Sequence, residues 1–156
     1  MGYRLIFTWA FLALLLPATA PATTPAPRDY GLAAAVEALV TVGARYHYGS
    51  SSPDTGFDCS GLVAHVYERA WGIELPRSTA EQRHIGHPVK RAEPRPGDLV
   101  FYNTRKRPFS RVGIYLGDGD FVHAPRPGQR VRVESINNPY WRARFSGARR
   151  LDPPSD

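Results

Sequence analysis

The amino-acid sequence predicts an α+β fold, because helical patterns come first along the chain and patterns of antiparallel strands follow. Residues 30–42 and 59–71 carry apolar side chains at helical spacing. From about residue 98 onward, short apolar segments are separated by glycine, proline and aspartate, which is typical of strands and turns. We therefore expect one domain in which N-terminal helices pack on a small antiparallel sheet.

The predicted helices have recognisable ends. Asp29 can cap a first helix over residues 30–42, since an aspartate side chain accepts hydrogen bonds from the first free backbone N–H groups. A second helix begins at Cys59 and ends near Gly72, a residue that favours the left-handed C-cap conformation. A short third helix is expected over about residues 76–82.

The strands are expected over residues 98–102, 112–116, 121–124 and 130–135. The middle two form a hairpin around Gly117, Asp118 and Gly119. We expect a three-residue loop with a glycine in the left-handed conformation, which pairs Leu116 with Asp120.

The N-terminal segment is predicted to lie outside the fold. Residues 1–20 have a basic start, an apolar run and a small-residue cleavage site, as in a secretory signal peptide, and residues 21–28 resemble a short Pro/Ala/Thr linker. The domain is then residues 29–156. No cysteine follows the apolar run, so we expect a soluble, non-lipidated protein that is exported to the periplasm or secreted, with no membrane span after cleavage.

Composition and charge limit the possible partners. The chain has a net charge of +6 and one cysteine, so it has no internal disulfide. We expect no nucleic-acid partner, because no stacking-aromatic or helix-turn-helix pattern accompanies the basic residues. The five histidines lack metal-ligand spacing, and neither a metal nor another cofactor is expected.

Cys59 is the main candidate for a catalytic residue. It is predicted to lie in the first turn of a helix, where free backbone N–H groups and the helix dipole favour an anion, so its thiol is expected to tend toward the thiolate. The alternative is a small buried residue, because free cysteine is among the most buried residue types. Its position between Asp58 and Ser60 argues against that alternative.

Several motifs resemble the NlpC family of papain-like cell-wall cysteine peptidases, in that family's order and spacing over about residues 43–151. They are residues 46–49 (Tyr-His-Tyr-Gly), 57–63 (Phe-Asp-Cys-Ser-Gly-Leu-Val), 75–79 (Leu-Pro-Arg-Ser-Thr), 97–101 (Gly-Asp-Leu-Val-Phe), 112–117 (Val-Gly-Ile-Tyr-Leu-Gly) and 121–124 (Phe-Val-His-Ala). The resemblance implies a papain-like fold and hydrolysis of peptide bonds in peptidoglycan stems, commonly the D-glutamyl–diaminopimelate bond.

The same resemblance assigns roles to residues of this chain. It implies that Cys59 is the nucleophile, that His123 is the third, orienting polar residue, and that Tyr46 lines the active site. Asp58 and Ser60, which flank the cysteine, are expected to bind substrate.

Arg111 departs from the family pattern, because it stands where the family has its base histidine. Arginine stays charged in proteins and cannot exchange the proton of a thiol or a leaving amine. In the three-residue-loop register, Arg111 and His123 lie on one face of the hairpin, about 7 to 8 Å apart at the backbone. His123 is then a candidate displaced base, whereas a two-residue loop would place the two on opposite faces.

Two functions remain open at this point. One is an exported cell-wall cysteine peptidase that uses Cys59, with the loss of the base costing on the order of 10⁴ to 10⁶ in rate. The other is a catalytically inactive protein that binds peptidoglycan or a protein through the same cleft. The retained cysteine favours the first and Arg111 favours the second.

Overall fold

The computed structural model describes residues 29–155. The predicted signal peptide, the linker and residue 156 lie outside the described residues. The helices of the described part are α1 (Tyr30–Val40), α2 (Cys59–Trp71), α3 (Thr79–Gln82) and α4 (Pro139–Arg144). Its strands are β1 (Ser51–Ser52), β2 (Gly56–Phe57), β3 (His87–Val89), β4 (Leu99–Tyr102), β5 (Arg111–Gly117), β6 (Asp120–His123), β7 (Arg132–Ser135) and β8 (Phe145–Arg150).

The strands form two antiparallel sheets. The larger sheet has six strands in the order β3-β8-β4-β5-β6-β7, and β1 pairs with β2 in a separate two-stranded sheet. The helices α1 and α2 pack against each other and against β5. The chain therefore has the α+β arrangement that its sequence predicts.

The ends of α1 and α2 follow the predicted capping chemistry. The Asp29 side chain accepts a hydrogen bond of 2.9 Å from the backbone N–H of Leu32 at the start of α1. Gly72 closes α2 in the left-handed conformation, with a φ of 68°. The helix α1 ends two residues earlier than expected, at Val40, where Thr41 is its C-cap.

Apolar side chains pack on both faces of the six-stranded sheet. The larger cluster joins α1 and α2 to one face; its fully buried members include Leu62, Val63, Val66, Val112, Ile114 and Val122. The opposite face packs against α4 in a smaller cluster that contains Val100, Tyr102, Tyr115, Phe121 and Trp141. Because side chains alternate along β5 and β6, Arg111, Gly113 and His123 lie on the α4 side.

The β5–β6 turn differs from the prediction. Gly117 pairs with Asp120 across a two-residue turn, so the expected three-residue loop, with Leu116 opposite Asp120, is wrong. The register shifts between Tyr115 and Gly117, because Leu116 is an extra residue in β5. Tyr115 then pairs with Phe121, and Gly113 lies opposite His123 as expected. The bulge therefore restores the register that keeps Arg111 and His123 on one face.

The C-terminal segment adds elements that the sequence did not predict. The helix α4 leads directly into β8, and β8 inserts between β3 and β4. The buried Asp98 carboxylate accepts two hydrogen bonds from the Arg150 guanidinium, at 2.8 Å and 2.7 Å, which fixes β8 beside the start of β4. Within residues 29–155, none of the helices has both the length and the apolar character needed to cross a bilayer.

Candidate active site

Asp58 holds the start of α2 and the loop that precedes it. Its Oδ1 atom accepts hydrogen bonds from the backbone N–H of Gly61 (2.7 Å) and from Nη1 of Arg77 (2.9 Å). Its Oδ2 atom accepts one from the backbone N–H of Gly49 (2.8 Å). Asp58 is thus the N-cap of α2 and the point at which the loop of residues 47–52 is attached to that helix.

The backbone around Gly61 is packed tightly. A Cβ atom on Gly61 would lie 2.1 Å from the carbonyl oxygen of Ser50 and 2.9 Å from Oδ1 of Asp58. The backbone N–H of Asp58 also donates to Ser50, at 3.1 Å. Only glycine at position 61 therefore allows the loop to close over the first turn of α2.

Cys59 is the first residue of α2 and is partly buried. It lines a cavity of about 320 Å³, which we call the cysteine cavity. Burial raises the pKa of the Cys59 thiol, and this outweighs the charge of Arg111 and the backbone N–H groups of Val112 and Ser60, which lower it. The expectation that the thiol tends toward the thiolate is therefore wrong for the resting protein.

Ser60 connects α2 to the segment before α3. Its hydroxyl donates to the carbonyl oxygen of Arg77 (2.8 Å) and accepts from Nη1 of Arg77 (2.8 Å). Its own carbonyl oxygen accepts a hydrogen bond of 3.0 Å from the buried Gln82 side chain. The side chains of Asp58 and Ser60 are thus engaged within the protein, where they orient the start of α2.

Tyr46 lines the cysteine cavity together with the start of α2. Its backbone forms a bridge with Phe57, and its N–H donates a hydrogen bond of 2.9 Å to the carbonyl oxygen of Gln129. Burial raises the pKa of the Tyr46 hydroxyl, and the Cys59 thiolate, once it forms at high pH, and the Asp58 carboxylate raise it further. Tyr46 therefore keeps its proton and presents an O–H donor to the cavity.

Arg111 begins β5 and is 8% exposed. Its Nη1 donates to the carbonyl oxygen of Ala124 (2.9 Å) and its Nε to the hydroxyl of Thr104 (3.4 Å). Both acceptors are neutral. Within residues 29–155, no carboxylate forms an ion pair with this guanidinium. Arg111 brings an uncompensated positive charge to the cysteine cavity, which it lines together with Cys59.

His123 is fully buried behind Arg111. Its Nε2 atom hydrogen bonds the Glu134 carboxylate, while its Nδ1 atom is buried without a hydrogen-bond partner in the described residues. Burial lowers the pKa of His123, against the opposing effect of Glu134, so the ring is neutral near pH 7. With Nε2 as the donor to the carboxylate, Nδ1 is a free acceptor.

Glu134 is a carboxylate partner of His123 that was not predicted from the sequence. Burial raises the pKa of Glu134. The hydrogen bond from His123, the positive charge that His123 carries at low pH, and hydrogen bonds from Trp141 and Arg132 lower it more, to about 2. Glu134 pairs across the sheet with Phe121 and so lies diagonally from His123 on the same face. The alternation of the last predicted strand was the signal that would have found it.

The cysteine cavity contains five of the six predicted site residues: Tyr46, Asp58, Cys59, Ser60 and Arg111. His123 is not among the residues that line it. Three further arginines line it that the sequence argument gave no role, Arg77, Arg105 and Arg107. The site is therefore a thiol at a helix N-terminus within a strongly basic cleft.

A cysteine that starts a helix and faces the first strand of a hairpin with a buried histidine is the arrangement of a papain-like cysteine peptidase. The chain belongs to the NlpC/P60 family, whose family model matches residues 43–150. This confirms the resemblance and the papain-like α+β fold. Members of this family are cysteine-type peptidases and hydrolases that act on murein.

The chain is similar to named relatives. It is 42% identical over 116 residues to the murein DD-endopeptidase MepH of Escherichia coli, a match covering 72% of this chain and 43% of MepH. It is 42% identical over 117 residues to a gamma-DL-glutamyl hydrolase of Bacillus subtilis, covering 74% of this chain and 28% of that protein. The chain thus spans less than half the length of either relative.

Solved structures show the same fold. The NlpC/p60 domain of the peptidoglycan hydrolase SagA superposes with a TM-score of 0.67 at 33% identity, covering 78% of this chain and 98% of that domain.

Proposed function

We propose that this protein is an exported cell-wall protein that takes peptidoglycan stem peptides into the cysteine cavity, with Cys59 as the nucleophile for slow hydrolysis of the D-glutamyl–diaminopimelate bond. The observation that carries the proposal is the Cys59 thiol at the start of α2, facing a cavity lined by Arg77, Arg105, Arg107 and Arg111. Stem peptides are rich in carboxylates, which guanidinium groups bind well. Relatives named as murein and glutamyl hydrolases support the same substrate class.

The proposed reaction follows from the position of the thiol. The Cys59 sulfur, once it has lost its proton, attacks the carbonyl carbon of the scissile amide and forms a tetrahedral oxyanion. Backbone N–H groups at the start of α2 face this position and stabilise the oxyanion. The C–N bond then breaks, the leaving amine takes up a proton, and water hydrolyses the remaining thioester.

Arg111 limits both proton transfers. A guanidinium can neither accept the thiol proton nor donate one to the amine at neutral pH, so both must be exchanged with water. Its positive charge still lowers the pKa of Cys59 and so favours the small thiolate fraction. We expect a rate about 10⁴ to 10⁶ below that of a site with a complete set of catalytic groups.

A second candidate function is binding of the same stem peptides without hydrolysis. Two observations favour it. Burial raises the pKa of Cys59, and His123 is engaged with Glu134 outside the walls of the cysteine cavity. The arginines of the cavity serve binding equally well in either case.

Digestion of diaminopimelate-type peptidoglycan by the purified protein, with products identified by mass spectrometry, tests the proposal. We expect slow release of fragments cut between D-glutamate and diaminopimelate, and no release by Cys59→Ala. Co-sedimentation of Cys59→Ala with insoluble peptidoglycan measures binding separately. Binding without cleavage by the unaltered protein would select the second function, and the absence of both would refute the substrate class.

A further inference from the structure

A second cavity, of about 490 Å³, is lined by Arg111 but not by Cys59. We call it the arginine cavity, because Arg105, Arg111, Arg126 and Arg132 line it. Arg105 and Arg111 also line the cysteine cavity, so the two cavities share a wall. Arg105 and Arg111 can therefore contact ligand groups in either cavity.

The charge of the arginine cavity is not balanced within the protein. Its acidic residue in the described chain, Glu134, is already bonded to His123 and to Nε of Arg132 at 3.2 Å. Arg105, Arg111 and Arg126 form no ion pair with a carboxylate in residues 29–155. The cavity thus presents three arginines whose charges are free for a ligand.

Arg111 gives this cavity a built binding group. The side chain is buried and two of its donors are fixed on the neutral oxygens of Ala124 and Thr104. Burying a charge without an opposite charge is costly, so an anion that docks beside Arg111 recovers part of that cost. The orientation of the guanidinium is set before the ligand arrives.

The loop that carries Arg105 is anchored as well. The Ser110 hydroxyl accepts the backbone N–H of Thr104 at 3.0 Å and contacts the carbonyl oxygen of Tyr102 at 3.3 Å. At the other end of the loop, Phe109 packs on Phe101 with ring centroids 5.5 Å apart. The loop between β4 and β5 is thus held at both ends, which reduces the entropy lost on binding.

The chemistry of the walls favours carboxylates on a peptide over nucleic acid. The aromatic rings at the arginine cavity are not available for stacking on bases, since Trp141 is buried and the Arg144 guanidinium lies 3.7 Å over the ring of Tyr140. The volume is that of a pocket for one or two amino-acid residues. Guanidinium groups bind carboxylates through paired, planar hydrogen bonds.

We propose that the arginine cavity is a carboxylate-binding subsite, which holds the free carboxylates of an acidic γ-glutamyl peptide that extends from Cys59 across Arg111. This inference rests on the proposed substrate class. It adds that the affinity for the peptide depends on the number of free carboxylates on the peptide and on Arg126, which lines the arginine cavity but not the cysteine cavity.

The experiment is isothermal titration calorimetry with protein carrying Cys59→Ala, so that no ligand is consumed. The probe is the tripeptide L-alanyl-γ-D-glutamyl-diaminopimelate, and a fully amidated form is the matched ligand. Arg126→Gln removes one free charge from the arginine cavity. Arg142→Gln is the matched control, since Arg142 is an exposed arginine on α4 that lines neither cavity.

We expect Arg126→Gln to raise the Kd of the tripeptide about tenfold, which is the loss of one charge-assisted hydrogen bond at a half-open site. Arg142→Gln should change it by less than about twofold, and the amidated peptide should not distinguish the two variants. Equal Kd values for both variants would overturn the subsite while leaving the substrate class intact. Failure of the tripeptide to bind the Cys59→Ala protein, or binding of oligomeric glycerol phosphate in its place, would overturn both.

Discussion

Replacement of Asp58 by alanine tests how the start of α2 is held. One carboxylate accepts the backbone N–H groups of Gly61 and Gly49 and the guanidinium of Arg77, at 2.7 Å, 2.8 Å and 2.9 Å. Asp29 offers a matched comparison, because it caps α1 through a single hydrogen bond of 2.9 Å at an exposed position. The two substitutions remove the same atoms from two N-caps.

The expected losses of unfolding free energy follow from these contacts. The N-cap contributes about 1 kcal/mol in each case. Asp58 adds about 1 kcal/mol for the bond to Gly49 and less than about 1 kcal/mol for the partly exposed Arg77 pair. Asp58→Ala should therefore cost about 2–3 kcal/mol and Asp29→Ala about 1 kcal/mol. For a domain of this size these losses lower Tm by roughly 6–12 °C and 3–4 °C.

Thermal and urea unfolding followed by circular dichroism measure both variants against the unaltered protein. The unfolding free energy of Asp58→Asn should lie between those of the unaltered protein and Asp58→Ala, since an asparagine keeps the capping acceptor but loses the charge that faces Arg77. Equal destabilisation by Asp58→Ala and Asp29→Ala would refute the argument that Asp58 fastens the loop as well as the helix.

Three further predictions concern the thiol, the buried histidine and the close approach at α2. Alkylation of Cys59 by iodoacetamide should be slow at pH 7 and should rise only above the pH range in which an ordinary cysteine thiol ionises, because burial raises the pKa of the thiol. Glu134→Gln should cost about 2 kcal/mol at pH 7 and much less at pH 2, as measured by urea unfolding. The pKa of Glu134 falls to about 2 in the folded state, so its stabilisation is complete above the ordinary carboxyl value of 4.5 and is lost as the pH falls through 2. Gly61→Ala should lower Tm by more than 6 °C, since the new methyl group meets the Ser50 carbonyl oxygen at 2.1 Å.

Each of these has a result that contradicts it. Fast alkylation at pH 7 with a midpoint below pH 8 would show that the helix N-terminus outweighs burial. A destabilisation by Glu134→Gln that is the same at pH 2 and pH 7 would mean that the carboxylate charge contributes nothing. Gly49→Ala is the control, because its new methyl group would meet no atom within 4 Å and only the φ of 78° is unfavourable. An unchanged Tm for Gly61→Ala would show that the loop moves freely.

The helix boundaries were predictable because their signals are local. Asp29 caps α1, and Cys59 and Gly72 mark where α2 begins and is closed, all within a few residues of the groups they satisfy. The helix α4 and the strand β8 were missed because β8 acquires its partners from distant segments, residues 87–89 and 99–102. The arginines of residues 142–150 also hide the period-2 pattern.

The turn and the site show two other limits. The Leu116 bulge adds a residue to β5 beside Gly117, whose φ is 105°. Because Gly117 was assigned to the loop and not to the strand, the turn was misassigned while the register remained correct. The Cys59 thiol was placed correctly in the first turn of α2, but its pKa depends on burial by distant residues, which no local pattern reports. The strand alternation places Glu134 on one face of β7, but its contact with His123 joins two strands and is seen only in the folded sheet.

We infer that the absence of a base at position 111 is what limits hydrolysis at Cys59. The buried, unpartnered Nδ1 atom of His123 is an acceptor that an imidazole N–H at position 111 could satisfy, and Arg111 bonds Ala124 instead. Arg111→His adds a base, whereas Arg111→Gln removes the charge without adding one. The two variants therefore separate proton transfer from electrostatics.

The most direct measurement is kcat/KM for the unaltered protein, Arg111→His and Arg111→Gln on a purified diaminopimelate-containing muropeptide, with folding checked by circular dichroism. We expect Arg111→His to raise kcat/KM by about 10² to 10⁴ and Arg111→Gln to leave it unchanged or lower it, since only the histidine can carry the proton. No gain in a correctly folded Arg111→His protein would contradict the claim that the missing base alone limits Cys59.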